Sequence, residues 1–276
     1  SPQDLGRMRN NANLKVIDGV ENRTIFLGMD QHRDELPGSS VKGKNPLKDV
    51  KVRKALYQAI DIDTIHRVTM RGLSQNTGAL VAPQVTGWTQ AVNTRFPYSL
   101  DASKKLLTEA GYPNGFTVTL SGPNNRYIND EEICQAITSM WAKIGVKAKL
   151  RTLPLVTYFP MIQRYEASIY MLGWGVPTFD SHYIFNYLVH TQTNDRGSWN
   201  PTGFSDADVD AMIASLESET DLAKRDATIA SIWNKVQDAQ MYLPIHNQVL
   251  NWGMKSNIEF AVQPEDQPHF QFLKMN

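Results

Sequence analysis

An alternation of strand-like and helix-like segments between Phe116 and Trp174 limits the possible folds more than any other feature of the chain. Residues that favour strands fill 116–120, 146–150 and 167–172, and helix-like segments at 129–144 and 155–164 separate them. Such alternation favours a sheet covered by helices. The apolar run at 167–172 is typical of a strand buried on both faces. We therefore predict a mixed α/β sheet flanked by helices.

The rest of the chain carries further helix and strand signals. Apolar spacing and capping residues predict helices at 1–11, 50–60, 62–70, 101–111, 180–189, 205–217 and 220–240. Strands are predicted at 14–17, 23–29 and 243–251. The stretch 71–100 contains glycine and proline and lacks periodicity. Since long loops are usually functional or wrap a surface, we expect one of these roles.

Composition excludes several classes of protein. Of 276 residues, 41% are hydrophobic and 20% charged, and Lys+Arg and Asp+Glu number 28 each, so nothing points to a nucleic-acid partner. Cys134 is the only cysteine, which excludes an internal disulfide and a cysteine-rich zinc site. No apolar run reaches the roughly 18–20 residues of a membrane helix. The first residues predict a helix start rather than a signal peptide, and because exported proteins lose their signal peptides, this does not indicate the cytoplasm.

Five collinear motifs resemble one family of transport receptors. They read NPLKDVKVRKAL at 45–56 followed by AID at 59–61, DASKKLLTEAGYPNGF at 101–116, WAKIGV at 141–146, GW at 173–174 and LPIH at 243–246. Together they resemble the oligopeptide, dipeptide and nickel class (bacterial family 5) of extracytoplasmic solute-binding proteins, the ligand receptors of ABC importers.

The resemblance implies a type II periplasmic-binding-protein fold, in which ligand lies between two lobes, and implies that this chain is its C-terminal half. Residues 1–28 would end lobe one and form a crossing strand, 29–240 would form the ligand-binding lobe two, and 241–276 would return to lobe one. The implied partners are a peptide or other small solute, the ABC permease subunits and the missing N-terminal lobe. The implied location is periplasmic, or extracytoplasmic and tethered to the membrane. No catalysis, cofactor or metal is expected.

Gly173, Trp174 and Gly175 are the strongest candidates for ligand contact. An aromatic side chain at a strand end offers a flat wall to a ligand, and flanking glycines let a ligand approach the backbone. The resemblance implies that this strand pairs with the backbone of a bound peptide. Packing of Trp174 in the core is the alternative.

Asp180 and Pro177 bear on the ligand's charge. Asp180 matches an acidic residue that the family places six residues after the tryptophan, but it is also a good helix N-cap. Peptide binders of the family place an aspartate at the position of Pro177, where it holds the peptide ammonium. Proline has neither charge nor N–H donor. The ligand would therefore lack an ammonium group, or Asp180 would serve instead.

Asn125, Arg126 and Tyr127 form a second candidate group, between a strand and a helix N-terminus. Strand ends in α/β sheets are common ligand sites, and an arginine can bind a carboxylate with two hydrogen bonds. A solvated Arg126 is the alternative. Other candidates are Trp88, at the cleft edge, and Met29, Asp30 and His246, near the lobe crossing, where they contact ligand or brace the hinge.

The sequence also suggests three alternative functions: a metal site, an enzyme and a receptor for a different solute. A metal site at His182 and His190 lacks a third ligand, and eight helical residues leave the two about 80° apart. A hydrolase or transferase would need its site in 71–100 and 173–182, but Asp180, Ser181 and His182 are consecutive and cannot form a catalytic relay. A receptor for an opine, sugar or metal chelate, or one coupled to chemoreception, remains open beside peptide transport.

Overall fold

A six-stranded sheet of order β2-β6-β1-β5-β3-β4 lies at the centre of the computed structural model, which describes residues 1–275. The strands are β1 (Leu14–Met29), β2 (Ser74–Asn76), β3 (Thr117–Pro123), β4 (Lys147–Leu153), β5 (Ile169–Trp174) and β6 (Tyr242–Lys255). β3 runs parallel to β4 and β5, whereas β1 runs antiparallel to β5 and β6. The predicted mixed sheet is confirmed.

Helices cover both faces of this sheet, close to where the sequence predicts them. They are α1 (Leu5–Arg9), α2 (Val50–Gln58), α3 (Ile62–Thr64), α4 (Leu100–Glu109), α5 (Asp130–Ala142), α6 (Leu155–Gln163), α7 (Ser181–Ile184), α8 (Ala207–Ser215) and α9 (Leu222–Asp238). α3 and α7 each continue into a π-helical turn, at Ile65–Thr69 and Phe185–Val189. The predicted segments 62–70 and 180–189 therefore change helix type partway along.

Aspartate and serine side chains fix most helix starts. Asp49, Asp61, Ser99, Asp180, Asp206 and Asp221 each accept a hydrogen bond from a backbone N–H of the first helical turn. Such caps satisfy donors that have no partner within the helix, and each typically contributes about 1 kcal/mol. These residue types explain why the helix starts can be read from the sequence.

Two hydrophobic layers lie on opposite faces of the sheet. Successive residues of β1 point to opposite sides, so Ile25, Leu27 and Met29 join one layer and Phe26 joins the other. In the first layer the Trp141 Nε1–H donates to the Leu56 carbonyl at 2.9 Å. The second layer contains helices α6 to α9.

Much of the 71–100 stretch covers the second layer. Its buried residues include Leu80, Val81, Val85 and Val92. The Arg95 guanidinium donates to the carbonyls of Thr77 and Pro244 and so fastens the stretch to β6. The expectation of a loop over 71–100 was wrong at Ser74–Asn76, which forms strand β2. Three polar residues give no strand pattern, and only pairing with β6 makes this segment a strand.

The two predicted strands at 14–17 and 23–29 form one continuous strand, so the predicted break between them was wrong. β1 pairs with β6 on both sides of the predicted break, and the register of the pairing shifts between Val20 and Thr24. Leu14–Val20 pair with Val249–Lys255 and, among the described residues, with no other strand. This part of β1 and β6 is therefore a two-stranded ribbon beyond the main sheet. The short strands β7 (Ile258–Glu259) and β8 (Lys274–Met275) pair with each other.

Candidate functional site

A cavity of about 320 Å³ opens at the carboxyl end of β5. Its lining comes from several separate parts of the chain, namely Glu21, Asn22, Arg23, Arg126, Tyr127, Phe159, Leu172, Gly173, Trp174, Gly175, Val176, Pro177, Tyr183, Trp199, Glu265 and Gln267. β3 and β5 are parallel, so the residues that follow both strands meet at the same edge of the sheet. Such edges are common ligand sites in α/β sheets.

The shift of register in β1 presents Glu21, Asn22 and Arg23 to this cavity. A bulge re-aims side chains because its extra residues do not pair in the ladder. Asn22 Nδ2 donates to the Val176 carbonyl at 2.9 Å, and the Val176 N–H donates to Asn22 Oδ1 at 3.1 Å. The buried Asn22 side chain thus bonds the loop after Trp174 as a neighbouring strand would.

The two glycines beside Trp174 differ in what surrounds them. A Cβ atom at Gly173 would lie 2.6 Å from the Tyr127 ring and 2.7 Å from Ile25. The Tyr127 hydroxyl donates to the Gly173 carbonyl at 3.2 Å. Close packing of the protein against itself therefore requires Gly173. At Gly175 the nearest atoms lie at 3.5 Å, an ordinary contact distance, so space there does not demand glycine.

Aromatic side chains form one wall of the cavity. The Trp174 ring centroid lies 5.9 Å from that of Tyr183, 5.6 Å from Tyr187 and 6.1 Å from Trp199. Phe159 extends the wall through an edge contact with Trp199 at 5.4 Å. The buried Trp174 Nε1 has no hydrogen-bond acceptor among residues 1–275. The wall therefore offers the cavity a flat apolar surface, and the Nε1–H itself is buried within the protein.

Charged side chains also line the cavity. Arg23 Nε donates to Glu21 Oε1 at 2.9 Å, and Gln248 Nε2 donates to Glu21 Oε2 at 2.8 Å. Burial raises the pKa of the Glu21 carboxyl, and the adjacent Arg23 offsets part of this effect. The Arg126 guanidinium lies 5.1 Å from the Tyr127 ring centroid and forms no ion pair within the described chain. Arg126 is therefore available to an anion.

Asp180 lies outside the cavity lining and has two protein partners. Its Oδ1 accepts from the His182 N–H at 2.9 Å, which confirms the predicted capping role. The Arg225 guanidinium donates to both carboxylate oxygens, at 2.7 and 2.9 Å. Burial alone would raise the pKa of Asp180, but the hydrogen bonds from Arg225 and from the His182 backbone outweigh burial and lower it.

Five of the predicted candidates meet in the cavity: Gly173, Trp174, Gly175, Arg126 and Tyr127. The exposed Asn125 instead accepts from the Leu155 N–H at 2.8 Å, at the start of α6. Trp88 packs against the second hydrophobic layer. A role in ligand contact stays a prediction for all of these residues.

The three candidates near the predicted lobe crossing are buried away from the cavity. Met29 is part of the first layer, six residues along β1 from Arg23, a distance of about 20 Å. Asp30 accepts from the His32 and Arg33 backbone and pairs with Arg33 Nε at 2.6 Å. His246 is fully buried, with neither ring nitrogen hydrogen-bonded in the described residues. Its position suits bracing of the sheet.

Several cavity residues were missed by sequence reasoning. Tyr183 lies in the predicted helix 180–189, and Tyr187, four residues later on the same face, packs against Trp174 behind it. Arg23 begins the strand predicted at 23–29, directly after the predicted break, where a bulge would have explained the break. Phe159 and Trp199 carry no such signal because only tertiary packing brings them to Trp174.

The arrangement around Ser181 bears on the hydrolase alternative. The 71–100 and 173–182 segments do meet, at a bridge between Thr86 and Asp180. The buried Ser181 hydroxyl donates to the Thr86 carbonyl at 2.6 Å and accepts from Trp233 Nε1 at 3.1 Å. The Ser181 hydroxyl therefore both donates and accepts a hydrogen bond within the protein interior. Neither of these two partners is a general base that could activate it as a nucleophile. Among residues 1–275, no three His, Cys, Asp or Glu side chains are grouped to hold a metal ion.

Known proteins similar to this chain are solute receptors. The dipeptide-binding protein of Escherichia coli K12 is 28% identical over 207 residues, which are 72% of this chain and 35% of that protein. Heme-binding protein A of Haemophilus influenzae is 26% identical over 266 residues, 94% of this chain and 44% of that protein. The chain thus spans less than half the length of these relatives. They are solute-binding proteins rather than enzymes.

The fold agrees with solved structures of such receptors. The dipeptide-binding protein of Pseudoalteromonas sp. SM9913, in complex with Met-Leu, superposes with a TM-score of 0.84 at 20% identity, covering all of this chain and 53% of that one. No described helix has the length and apolarity to cross a membrane. The sequence model of "Bacterial extracellular solute-binding proteins, family 5 Middle" matches residues 1–196. The chain belongs to this family of bacterial extracellular solute-binding proteins.

Proposed function

We propose that this chain supplies one wall of the solute-binding cleft of an ABC importer's receptor. The observation that carries the proposal is the cavity at Trp174, which aromatic side chains and Arg126 line together at the carboxyl edge of a parallel strand pair. Binding sites of this kind combine apolar walls with a few placed polar groups. Membership of a solute-binding family supports the same role.

A second lobe would complete the cleft. The chain covers about half of the solved receptor that it resembles, and the ribbon of Leu14–Val20 and Val249–Lys255 extends away from the sheet beside the cavity. We propose that this ribbon leads to an N-terminal lobe, with residues 1–28 and 241–276 shared between the lobes and 29–240 forming lobe two. Closure of the lobes would bury the solute, and the closed receptor would dock on the permease outside the cytoplasmic membrane.

The proposed solute is a peptide or a peptide-like molecule with a carboxylate. Arg126 can bind a carboxylate with two parallel hydrogen bonds, and Trp174 can pack against a side chain or a backbone. The exposed Pro177 lines the cavity where an ammonium-binding aspartate would otherwise stand. We therefore propose a solute whose recognition by this lobe does not depend on a free ammonium group.

A non-peptide solute is the second candidate. The aromatic wall of Trp174, Tyr183 and Trp199 suits a flat molecule, and one relative is a heme-binding protein. Catalysis is not proposed, since the Ser181 hydroxyl is buried and engaged by Thr86 and Trp233.

Isothermal titration of the full-length receptor tests the proposed function. Met-Leu, N-acetyl-Met-Leu, glutathione and heme are titrated separately, and each mixture is then checked by chromatography for chemical change. We expect at least one to bind and to be recovered intact, with the N-acetyl peptide no weaker than the free peptide. Binding of none, or turnover of a bound compound, would rule out the proposed receptor function.

A further inference from the structure

A second arginine, Arg23, faces the same cavity as Arg126. Its side chain is 17% exposed, and its Nε donates to Glu21, which is 1% exposed. In the described chain the terminal nitrogens of Arg23 have no hydrogen-bond acceptor, and the Arg126 side chain has none at all. Guanidinium groups held in this way present several N–H donors to the cavity.

Both guanidinium groups line the part of the cavity around Tyr127. The Arg126 guanidinium lies 5.1 Å from the Tyr127 ring centroid, and the Tyr127 hydroxyl donates to the Gly173 carbonyl at 3.2 Å. The Arg23 terminal nitrogen would also lie 3.5 Å from a Cβ atom at Gly175. Arg23 therefore reaches across the backbone that carries Trp174.

One buried glutamine joins the two segments that carry these arginines. Gln248 Nε2 donates to Glu21 Oε2 at 2.8 Å, and Gln248 Oε1 accepts from the Ile128 N–H at 3.1 Å. Glu21 adjoins Arg23 in the β1 bulge, and Ile128 lies two residues after Arg126. Hydrogen bonds through Gln248 thus connect the backbone segment that carries Arg126 with the Glu21–Arg23 ion pair.

Neither carboxylate of the lining pairs with Arg126. Glu21 pairs with Arg23, and Glu265 Oε1 lies 3.0 Å from His269 Nε2. Among the described residues Arg126 therefore has no carboxylate partner. One carboxylate supplies one negative charge and enough lone pairs to accept from both arginines.

We propose that Arg23 and Arg126 together bind one carboxylate of the solute. This inference rests on the proposed receptor function and adds Arg23 as a residue that determines specificity. The aromatic wall would then receive the apolar part of the solute on the other side of Trp174. Solutes whose carboxylate is blocked would be rejected, because the arginines would lose their acceptor.

The test compares a free carboxylate with a blocked one in the full-length receptor. Whichever of Met-Leu, glutathione and heme binds the wild type is titrated beside its carboxyl amide or ester. The free acid should bind the wild type roughly 10- to 100-fold more tightly than the blocked form. Arg23→Gln should lower the affinity for the acid and leave that for the blocked form unchanged. Arg164→Gln, which alters an exposed arginine paired with Glu166, is the matched control and should change neither.

Arg23→Lys separates charge from geometry, since lysine keeps the charge but not the planar fork. It should restore only part of the preference for the acid. Equal binding of acid and blocked forms by the wild type would overturn the inference and leave the receptor function standing. If Arg23→Gln lowered the affinity for the free acid and for the blocked form equally, the inference would also be overturned and the receptor function would stand. Such a result would assign Arg23 a structural role. A receptor that binds none of the probes would overturn the proposed function and this inference together.

Discussion

Asn22 and Val176 are 154 positions apart in the chain and are joined by two hydrogen bonds, of 2.9 and 3.1 Å. One side-chain amide both donates to and accepts from the backbone of the loop that follows Trp174. The β1 bulge and the end of β5 are thereby held as one unit. The position of Arg23 relative to Trp174 depends on this contact.

Asn22→Ala removes both hydrogen bonds and leaves the buried Val176 N–H without a partner, whereas the Val176 carbonyl still accepts from the Phe179 N–H at 3.0 Å. We expect a loss of about 1–3 kcal/mol in the free energy of unfolding, because buried polar groups that lose their partners are destabilising. Urea denaturation followed by circular dichroism measures the change. Asn194→Ala, at an exposed position, is the control and should stay within about 0.5 kcal/mol of the wild type. Equal stability of Asn22→Ala and wild type would show that this contact does not hold the bulge.

Replacement of Trp174 should weaken solute binding in two steps. Trp174→Phe keeps an aromatic ring and removes only a buried Nε1–H that does not reach the cavity, so we expect it to cost less than about 1 kcal/mol of binding free energy. Trp174→Ala also removes the wall, and we expect a loss of at least about 2 kcal/mol. Isothermal titration of the full-length receptor measures both. Trp88→Phe, outside the cavity lining, should bind as the wild type does; a larger effect there than at Trp174 would move the site to the 71–100 stretch.

Asp180 should stabilise the protein only above acidic pH. Hydrogen bonds from Arg225 and the His182 backbone outweigh burial, so the folded-state pKa lies below the ordinary value of 3.8. The stabilisation is therefore present above about pH 4 and is lost as the pH falls through the folded-state pKa. We expect Asp180→Asn to lower the thermal midpoint at pH 6 and to approach the wild type at pH 3. Asp195→Asn is the exposed control. A constant difference between Asp180→Asn and the wild type from pH 6 to pH 3 would refute the ion-pair account.

His246 should make the fold sensitive to mild acid. Burial, followed by the charges of His66 and Arg95, lowers the pKa of His246 from 6.5 to about 3. The unfolded chain therefore takes up a proton below pH 6.5 that the folded chain refuses, and stability is lost as the pH falls from about 6.5 towards 3. Between pH 7 and pH 5 this amounts to about 2 kcal/mol.

A His246→Leu variant should lose that part of the pH dependence, as measured by urea denaturation at pH 7 and pH 5. His269→Leu, which changes a partly exposed histidine, should keep it. A wild-type protein equally stable at both values would show that His246 accepts its proton in the folded state.

Sequence reasoning predicted the fold well where local signals were strong. The helix starts after Asp61 and Asp180 follow from capping side chains, and β5 follows from its unbroken apolar run. β2 could not be predicted, because Ser74–Asn76 is polar and becomes a strand only through pairing with β6. The continuity of β1 was missed for a related reason: the polar residues of its bulge interrupt the strand pattern but not the strand.

The cavity was only partly predictable. Trp174 and Arg126 follow predicted strands, and sheet topology then brings such positions together. Arg23 reaches the cavity through a bulge, and Trp199 through packing against Trp174. Neither relationship is encoded in local sequence, because each depends on contacts between distant segments.

Native mass spectrometry of the freshly purified full-length receptor tests the central claim most directly. The account predicts that the wild type carries a small carboxylate-bearing molecule, released intact on unfolding, and that Trp174→Ala carries much less of it. A peptide series would identify peptide transport, and a single other mass would identify the alternative solute. A Trp174→Ala variant that carries the same molecule at the same occupancy as the wild type would contradict the assignment of the cavity at Trp174 as the solute site.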